Sequence, residues 1–126
     1  MTILDLLKIE EVISNQNTVI LKMPITENII QPFKIVHGGV NAIISETAAS
    51  IAGNHNLDDS KYAVGLSINT NHLRPVLLNS GKFLFAKATP IHIGKNIQTW
   101  NVITYVDDNQ NKITSNSIAT LSVINK

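Results

Sequence analysis

Apolar residues at three- and four-residue spacing predict one long helix in the first half of the chain, from His37 to Gly53. The residues of this apolar stripe are Val40, Ile43, Ile44, Thr47, Ala48 and Ile51. Small residues, among them Ala49, Ser50 and Gly53, flank the stripe and would let another backbone or a ligand approach closely. We therefore expect a helix that is buried on more than one side.

The rest of the chain alternates apolar and polar residues, which predicts strands. The predicted strands cover 18–23, 61–72, 82–89, 97–106 and 113–124. Residues 2–9 predict one or two amphipathic helical turns, and residues 90–96 predict a turn between two strands. One long helix and a set of strands joined by short turns indicate a single α+β domain over 1–126 with an antiparallel sheet.

The strand that begins at Lys61 is predicted to place a histidine on its apolar face. Counting every second residue, this face consists of Val64, Leu66, Ile68, Thr70 and His72. Gly65 would lie on the opposite face.

Glu46 is the only Asp, Glu, Lys or Arg between Lys34 and Asp58, and it stands in the middle of the predicted helix. A carboxylate in apolar surroundings is either neutralised or held by specific donors, and both situations are common at catalytic sites. A glutamate at the rim of a core helix, reaching into water, fits the same sequence. The residues alone leave both interpretations open.

Composition excludes several classes of function. The net charge is +1 and the basic residues are scattered, so the chain shows no nucleic-acid footprint. The absence of cysteine excludes disulfides, iron–sulfur clusters and thiolate-bound metals. The N-terminus is too charged for a signal peptide and no apolar run could span a membrane, so we expect a cytoplasmic protein.

A second copy of the chain is the partner that the composition and the sheet favour. Charged residues make up 15% of the chain, below the ~25% that is usual, which suggests that part of the surface is covered. Unpaired edges of the sheet would also be covered if two copies paired edge to edge. We expect a homodimer.

Several short motifs, taken in order, resemble those of the hotdog-fold acyl-CoA thioesterases. These motifs are Gln31-Pro32-Phe33, His37-Gly38-Gly39, Glu46 with Ser50, 69–75 (Asn-Thr-Asn-His-Leu-Arg-Pro) and His92-Ile93-Gly94-Lys95. The pattern is most similar to the branch that hydrolyses aromatic acyl-CoA thioesters, including 1,4-dihydroxy-2-naphthoyl-CoA hydrolases and the proofreading thioesterase of enterobactin synthesis. The resemblance implies a hotdog fold, in which an antiparallel sheet of five to six strands wraps a long central helix. It also implies a homodimer, with a homotetramer of two dimers as the expected assembly.

The resemblance implies a role for each catalytic position. Glu46 would act either as a nucleophile, forming a mixed anhydride, or as a general base on water. The backbone amides of Gly38 and Gly39, in the first turn of the helix, would stabilise the thioester oxyanion. The neighbouring polar residues would assist: His37 and Gln31 at the carbonyl oxygen, Ser50 at the carboxylate or the water, and His72 near the acyl group.

Coenzyme A, as part of the substrate, would have its own set of residues. By the same resemblance, Arg74 would bind the nucleotide phosphates together with His92, Gly94 and Lys95. Gly65 and Leu66 would line a pantetheine channel between subunits. His37, Glu46 and His72 can be written as a two-histidine, one-carboxylate metal set, but the family that the chain resembles uses no metal, and we expect none.

Two other functions compete with hydrolysis. A non-catalytic acyl-CoA or acyl-carrier binding protein of the same fold would have replaced Glu46 or the Gly38-Gly39 pair. A hotdog hydratase would need an Asp and His pair at dehydratase spacing, which is absent from the sequence. The acyl group is expected to be aromatic or otherwise apolar, but the candidate lining residues are too generic to name it; these are Phe33, Val36, Ile51 and Leu73.

Overall fold

The computed structural model describes residues 1–126 and consists of one long helix and a single sheet. The elements in chain order are α1 (Ile3–Leu6), β1 (Glu10–Ser14), β2 (Val19–Pro24), a 3₁₀ turn (Glu27–Ile29), α2 (Gly38–Asn54), β3 (Lys61–His72), β4 (Phe83–Ile93), β5 (Ile97–Val106) and β6 (Ile113–Asn125). The six strands are antiparallel, in the order β1-β2-β4-β5-β6-β3. The expected α+β architecture, a long helix against an antiparallel sheet, is confirmed. The two edge strands of the sheet are β1 and β3.

Helix α2 lies across the sheet and forms one continuous core with it. The four inner strands, β2, β4, β5 and β6, direct alternate residues towards the helix, and these are fully buried, with Trp100 of β5 the largest among them. On the helix, Ile44, Ala48 and Ala52 are equally buried. Small residues on the helix let its axis lie close to the sheet, which leaves little room for water between the layers.

Gly53 marks a close contact between α2 and the sheet. A Cβ at this position would lie 2.7 Å from Oε1 of Gln98, and it would overlap a methyl group of Leu121. Gln98 is itself fully buried; its Nε2 donates to the Gly53 carbonyl at 3.2 Å, and its Oε1 accepts from Trp100 Nε1 at 2.9 Å. The buried Gln98 amide therefore provides a hydrogen-bond partner both for the carbonyl of Gly53 near the end of the helix and for the indole N–H of Trp100.

The predicted helix is confirmed over Gly38–Asn54, but only Val40, Ile44 and Ala48 of the predicted apolar stripe are buried. Ile43, Thr47 and Ile51 are only half-buried, whereas Ala49 and Gly53, from the small flanking face, are buried against the sheet. The sheet thus packs on the small residues. Ile43 and Ile51 lie at the border of the contact, whereas Ile44 is fully buried.

Two strand predictions need correction, at β1 and at the end of β4. β1 was not predicted, because an exposed edge strand with the sequence Glu-Glu-Val-Ile-Ser lacks apolar alternation. Residues 90–93, predicted as part of a turn, continue β4 across a bulge between Pro90 and His92. The predicted N-terminal turns form α1, although its Ile3 and Leu6 are exposed.

The predicted apolar face of β3 is wrong in its first half. A register shift between Gly65 and Ser67, where β3 pairs with β6, leaves Leu66 as an extra residue. Gly65 consequently faces α2, and Leu66 is 62% exposed. After the bulge, Ile68, Thr70 and His72 do share a face, as predicted.

Tyr105 of β5 is buried, stacks on Phe85 with ring centroids 5.5 Å apart, and has a hydroxyl without a hydrogen-bond partner. Burial, with a smaller contribution from Asp108, raises the pKa of Tyr105 to about 12. In the unfolded chain a tyrosine ionises near pH ~10. Between these two values the unfolded chain loses a proton that the folded chain keeps, so the free energy of unfolding falls as the pH rises.

We expect Tyr105→Phe to leave the free energy of unfolding at neutral pH unchanged or slightly higher, because it removes an unpaired buried hydroxyl and keeps the stacked ring. The same variant should lose the Tyr105 share of the alkaline decline, roughly 2 kcal/mol across pH ~10–12. Urea unfolding at steps through this pH range measures both effects. Tyr62→Phe, on an exposed edge, is the matched control, and an equally steep decline in Tyr105→Phe would refute the assignment.

Candidate active site

A cavity of about 360 Å³ lies at the start of α2, beneath the end of β3 and the segment that follows it. Its lining residues are Gln31, Ile35, Val36, Gly38, Asn41, His72, Leu73, Arg74, Pro75 and Val76. The fold thus brings together four predicted site residues that are far apart in sequence: Gln31, Gly38, His72 and Arg74. Asn41 is a further polar lining residue that the sequence analysis did not identify.

The first turn of α2 presents one free backbone donor to this cavity. His37 is the N-cap residue, and its Nδ1 accepts from the Gly39 N–H at 2.8 Å. The Gly38 N–H has no acceptor in the chain. Of the two amides expected to be available, only Gly38 is therefore free, and one ring nitrogen of His37 is committed to capping.

Gln31 lines the cavity from a loop, and two hydrogen bonds of the Gln31 backbone close this loop. Its N–H donates to the Ile35 carbonyl at 2.8 Å, and its carbonyl accepts from the Lys34 N–H at 2.9 Å. The side-chain Oε1 accepts from the Phe33 N–H at 2.6 Å. The Nε2 amide has no partner in the chain, so it is the atom of this side chain that is available to donate.

His72 ends β3 directly above the helix start. A Cβ at Gly38 would lie 2.9 Å from both Cε1 and Nε2 of the imidazole, so only glycine lets the ring sit there. The opposite ring nitrogen, Nδ1, is 3.1 Å from Nδ2 of Asn41. Contacts with α2 therefore hold the ring on both sides.

Arg74 supplies the one permanent positive charge among the residues that line the cavity. The Leu73 and Arg74 amides both donate to the Thr114 carbonyl, at 2.9 and 3.1 Å, which fixes the segment after β3. The guanidinium is exposed and makes no ion pair, since the only ion pair in the chain joins Lys22 and Glu10. It is free to bind an anionic group at the mouth of the cavity.

Glu46 does not line this cavity. It follows Gly38 by eight residues in the same helix, which separates them by about 12 Å at ~1.5 Å per residue. Its half-buried carboxylate rests against Gly65 of β3, where a Cβ would lie 2.9 Å from the carboxyl carbon. It makes neither an ion pair nor a hydrogen bond within the chain.

Ser50 lies one helical turn beyond Glu46 but makes no hydrogen bond to it. It lines a separate, shallower depression of about 430 Å³ between the end of α2 and β1. Ser14 Oγ and His55 Nε2, 2.7 Å apart, lie in the same depression. In the single chain the predicted catalytic residues thus fall into two groups, one around Gly38 and one along α2 from Glu46.

The predicted coenzyme A residues are also divided between the two ends of the sheet. Arg74 follows His72, which pairs with Ser115 of β6, whereas Lys95 precedes Ile97, which is level with Ser122. Seven residues of β6 separate these two levels, about 23 Å along the strand. His92, Gly94 and Lys95 therefore cannot bind the same phosphate group as Arg74 of their own chain.

No group of three or more His, Cys, Asp and Glu side chains is close enough to hold a metal ion, so His37, Glu46 and His72 do not form a ligand set within one chain. None of the helices is both long enough and apolar enough to cross a lipid bilayer.

Comparisons with known proteins agree with this architecture. The thioesterase superfamily model matches residues 33–112. The crystal structure of a thioesterase from Haemophilus influenzae has a TM-score of 0.89 at 41% identity, covering 98% of this chain and 83% of that chain. A 1,4-dihydroxy-2-naphthoyl-CoA hydrolase of Listeria monocytogenes is 33% identical over 118 residues, which are 94% of this chain and 92% of that protein.

A Bacillus halodurans protein whose structure contains CoA has a TM-score of 0.84 at 25% identity, covering 97% of this chain and 75% of that chain. The family match extends over the whole of α2 and over three of the six strands, β3, β4 and β5. The chain therefore belongs to the thioesterase superfamily and is a thioesterase of hotdog fold.

Proposed function

We propose that this protein hydrolyses an acyl-CoA thioester with an aromatic or medium-length apolar acyl group, giving the free acid and coenzyme A. The observation that carries the proposal is the unpaired Gly38 amide at a cavity that also contains the free Nε2 of Gln31. These donors suit a thioester oxygen that becomes negative in the transition state. The naphthoyl-CoA hydrolase among the relatives and the CoA-bound structural neighbour support the substrate class.

Glu46 would enter this reaction from a second copy of the chain. Within one chain it is about 12 Å from Gly38, too far for both to act on one carbonyl. β3 is an edge strand, and antiparallel pairing of two β3 strands brings the His72 end of one copy beside the Gly65 end of the other. Because Glu46 lies against Gly65, this pairing would place it near the cavity of the second copy.

In this two-chain site Glu46 has two possible roles. As a nucleophile, its carboxylate oxygen would bond to the thioester carbon, expel the coenzyme A thiolate and leave a mixed anhydride that water then hydrolyses. As a general base, it would take a proton from the water that attacks the same carbon. Ser50, one turn along α2, would lie beside the attacking group in either case, and His37 beside the carbonyl.

The same pairing would unite the coenzyme A residues. Arg74 of one copy would lie at the end of the sheet where the second copy carries His92, Gly94 and Lys95. Gly65 and Leu66 would line the channel between the two β3 strands. Two such dimers would form the expected homotetramer, which light scattering of the purified protein would detect.

Thiol release from benzoyl-, phenylacetyl-, 1,4-dihydroxy-2-naphthoyl- and straight-chain acyl-CoA esters tests the proposal. The chain has no cysteine, so the protein adds no thiol background. Preference for the aromatic or medium apolar esters is expected. If all of them bind but none is hydrolysed, the protein is a binding module instead.

Glu46→Gln should reduce kcat by about 10³-fold or more, because it removes the only carboxylate proposed at the reacting carbon. The side chain keeps its size and its contact with Gly65, so binding of coenzyme A, measured by calorimetry, should stay within about threefold. Glu27→Gln, on the exposed 3₁₀ turn, is the control and should keep full activity. Normal turnover by Glu46→Gln would remove the proposed mechanism.

Mixing two inactive variants should restore activity if the site is shared. Gly38→Pro removes the free N–H, and proline suits the first position of a helix; His37, with ψ 134°, already has the conformation favoured before proline. Gly38→Ala adds a Cβ but keeps the N–H, so it controls for the contact with His72. We expect Gly38→Pro to be about 10²–10³-fold slower than Gly38→Ala.

Each mixed dimer of Glu46→Gln and Gly38→Pro would contain one intact site. After unfolding and refolding of an equimolar mixture, about a quarter of the wild-type activity should return. No recovery, with mixed dimers demonstrated by mass spectrometry, would place both residues in a site within one chain.

A further inference from the structure

Asn41 is the least expected polar residue of the cavity. It is 5% exposed and stands between Val40 and Ala42 on the buried side of α2. Its Nδ2 contacts His72 Nδ1 at 3.1 Å, and its Oδ1 is buried without a partner. A buried side-chain amide lowers the stability of the fold unless its polar atoms are hydrogen-bonded. Asn41 is therefore a candidate for a role beyond packing.

The contact determines which nitrogen of His72 carries the proton. An amide Nδ2 can only donate, so Nδ1 of the imidazole must accept, and the neutral ring then carries its proton on Nε2. If Oδ1 and Nδ2 of Asn41 exchanged places, the NH₂ group would lie without a partner in the buried position that Oδ1 now occupies. Unpaired buried N–H groups are rarer than unpaired oxygens, so the orientation found here is the favoured one.

The ring nitrogen that carries this proton, Nε2, lies next to the start of α2. Nε2 faces Gly38, 2.9 Å from the position of a Cβ there, and the Gly38 N–H is free. The neighbouring Gly39 N–H is occupied by His37. The His72 ring can therefore add a donor to those of Gly38 and Gln31, in place of the second glycine amide that the sequence predicted.

We propose that Asn41 is a positioning residue, which holds neutral His72 in the Nε2–H form so that His72 and the Gly38 amide together stabilise the thioester oxyanion. This inference rests on the proposed function for the identity of the bound oxygen. It makes His72 a hydrogen-bond donor and excludes it as the general base, since an Nε2–H nitrogen has no free lone pair.

The tautomer can be measured without substrate. The chain has four histidines, and loss of one set of signals in His72→Gln would assign the ¹⁵N resonances of the His72 ring. In the wild-type protein at a pH where His72 is neutral, we expect Nε2 to be protonated and Nδ1 to be unprotonated. Protonation at Nδ1 would overturn the proposal, whatever the activity of the enzyme.

Asn41→Asp should reverse the tautomer, because the introduced carboxylate accepts a hydrogen bond from Nδ1–H. The neutral ring then has no proton on Nε2 and donates there only as imidazolium. In this variant kcat should therefore fall as the pH rises and the imidazolium is converted to the neutral ring. The wild-type enzyme should show no such loss, because its Nε2 carries a proton in both the neutral and the charged ring.

The other charged groups near this ring are the same in both enzymes. They are Arg74 at the cavity, His37 at the helix start, and Glu46 of the second copy in the proposed dimer. Asn116→Asp on β6 is the matched control: Asn116 also donates its side-chain amide, to Asn101 at 2.8 Å, but makes no hydrogen bond to His72. This control should keep the wild-type pH profile, and a wild-type profile in Asn41→Asp would contradict the proposal.

Asn41→Leu tests the same point without a buried charge, in case Asn41→Asp does not fold. The two tautomers of His72 should then both be populated, and kcat should fall in proportion to the lost Nε2–H fraction, about twofold at equal populations, with KM unchanged. An Nε2–H signal as pure as that of the wild type in Asn41→Leu would show that Asn41 does not control the ring. Wild-type protein inactive on every ester would instead refute the proposed function and leave the tautomer result to decide the role of Asn41.

Discussion

The close contact between α2 and the sheet is the constraint on which the rest of the structure depends. Glycine permits this contact at three levels: Gly53 against Leu121, Gly65 against Glu46, and Gly38 against His72. Together these contacts set the distance and the direction of the helix relative to β3. A Cβ at any of them would collide with the facing side chain, so that side chain or the helix would have to move.

The same arrangement separates the two groups proposed to act on the thioester, the Gly38 amide and the Glu46 carboxylate. A rigid helix keeps its N-terminal amide and its carboxylate two turns apart, and no rotamer change in one chain brings Glu46 to Gly38. A free edge at β3 provides the means to bring them together, because antiparallel pairing exchanges the two ends of the strand. In our proposal, assembly and catalysis therefore use the same strand.

The polar groups around the helix start show how a few hydrogen bonds assign roles to chemically ambiguous side chains. His37 uses Nδ1 to cap α2, Gln31 uses its oxygen to hold the Phe33 amide, and His72 receives a contact from Asn41 on Nδ1. In each case one side of the side chain is committed to the fold. The other side remains available at or near the cavity.

Local periodicity and motif order in the sequence were sufficient for the long helix, most of the strands, the α+β class and the thioesterase resemblance. These features depend on contacts between residues close in sequence, so their period is visible in one chain. The isolated charge of Glu46 and the small residues of α2 were also visible. Their significance came from the motifs around them.

Only the tertiary structure decided which faces and which atoms meet. The bulge at Leu66 depends on the pairing of β3 with β6, and the continuation of β4 past Pro90 depends on its pairing with β5. β1 is an exposed edge strand, so its sequence does not alternate apolar and polar residues. The contact of Asn41 with His72 joins residues 31 positions apart. Such contacts depend on the packing of distant segments, and the sequence near either residue carries no periodic signal of them.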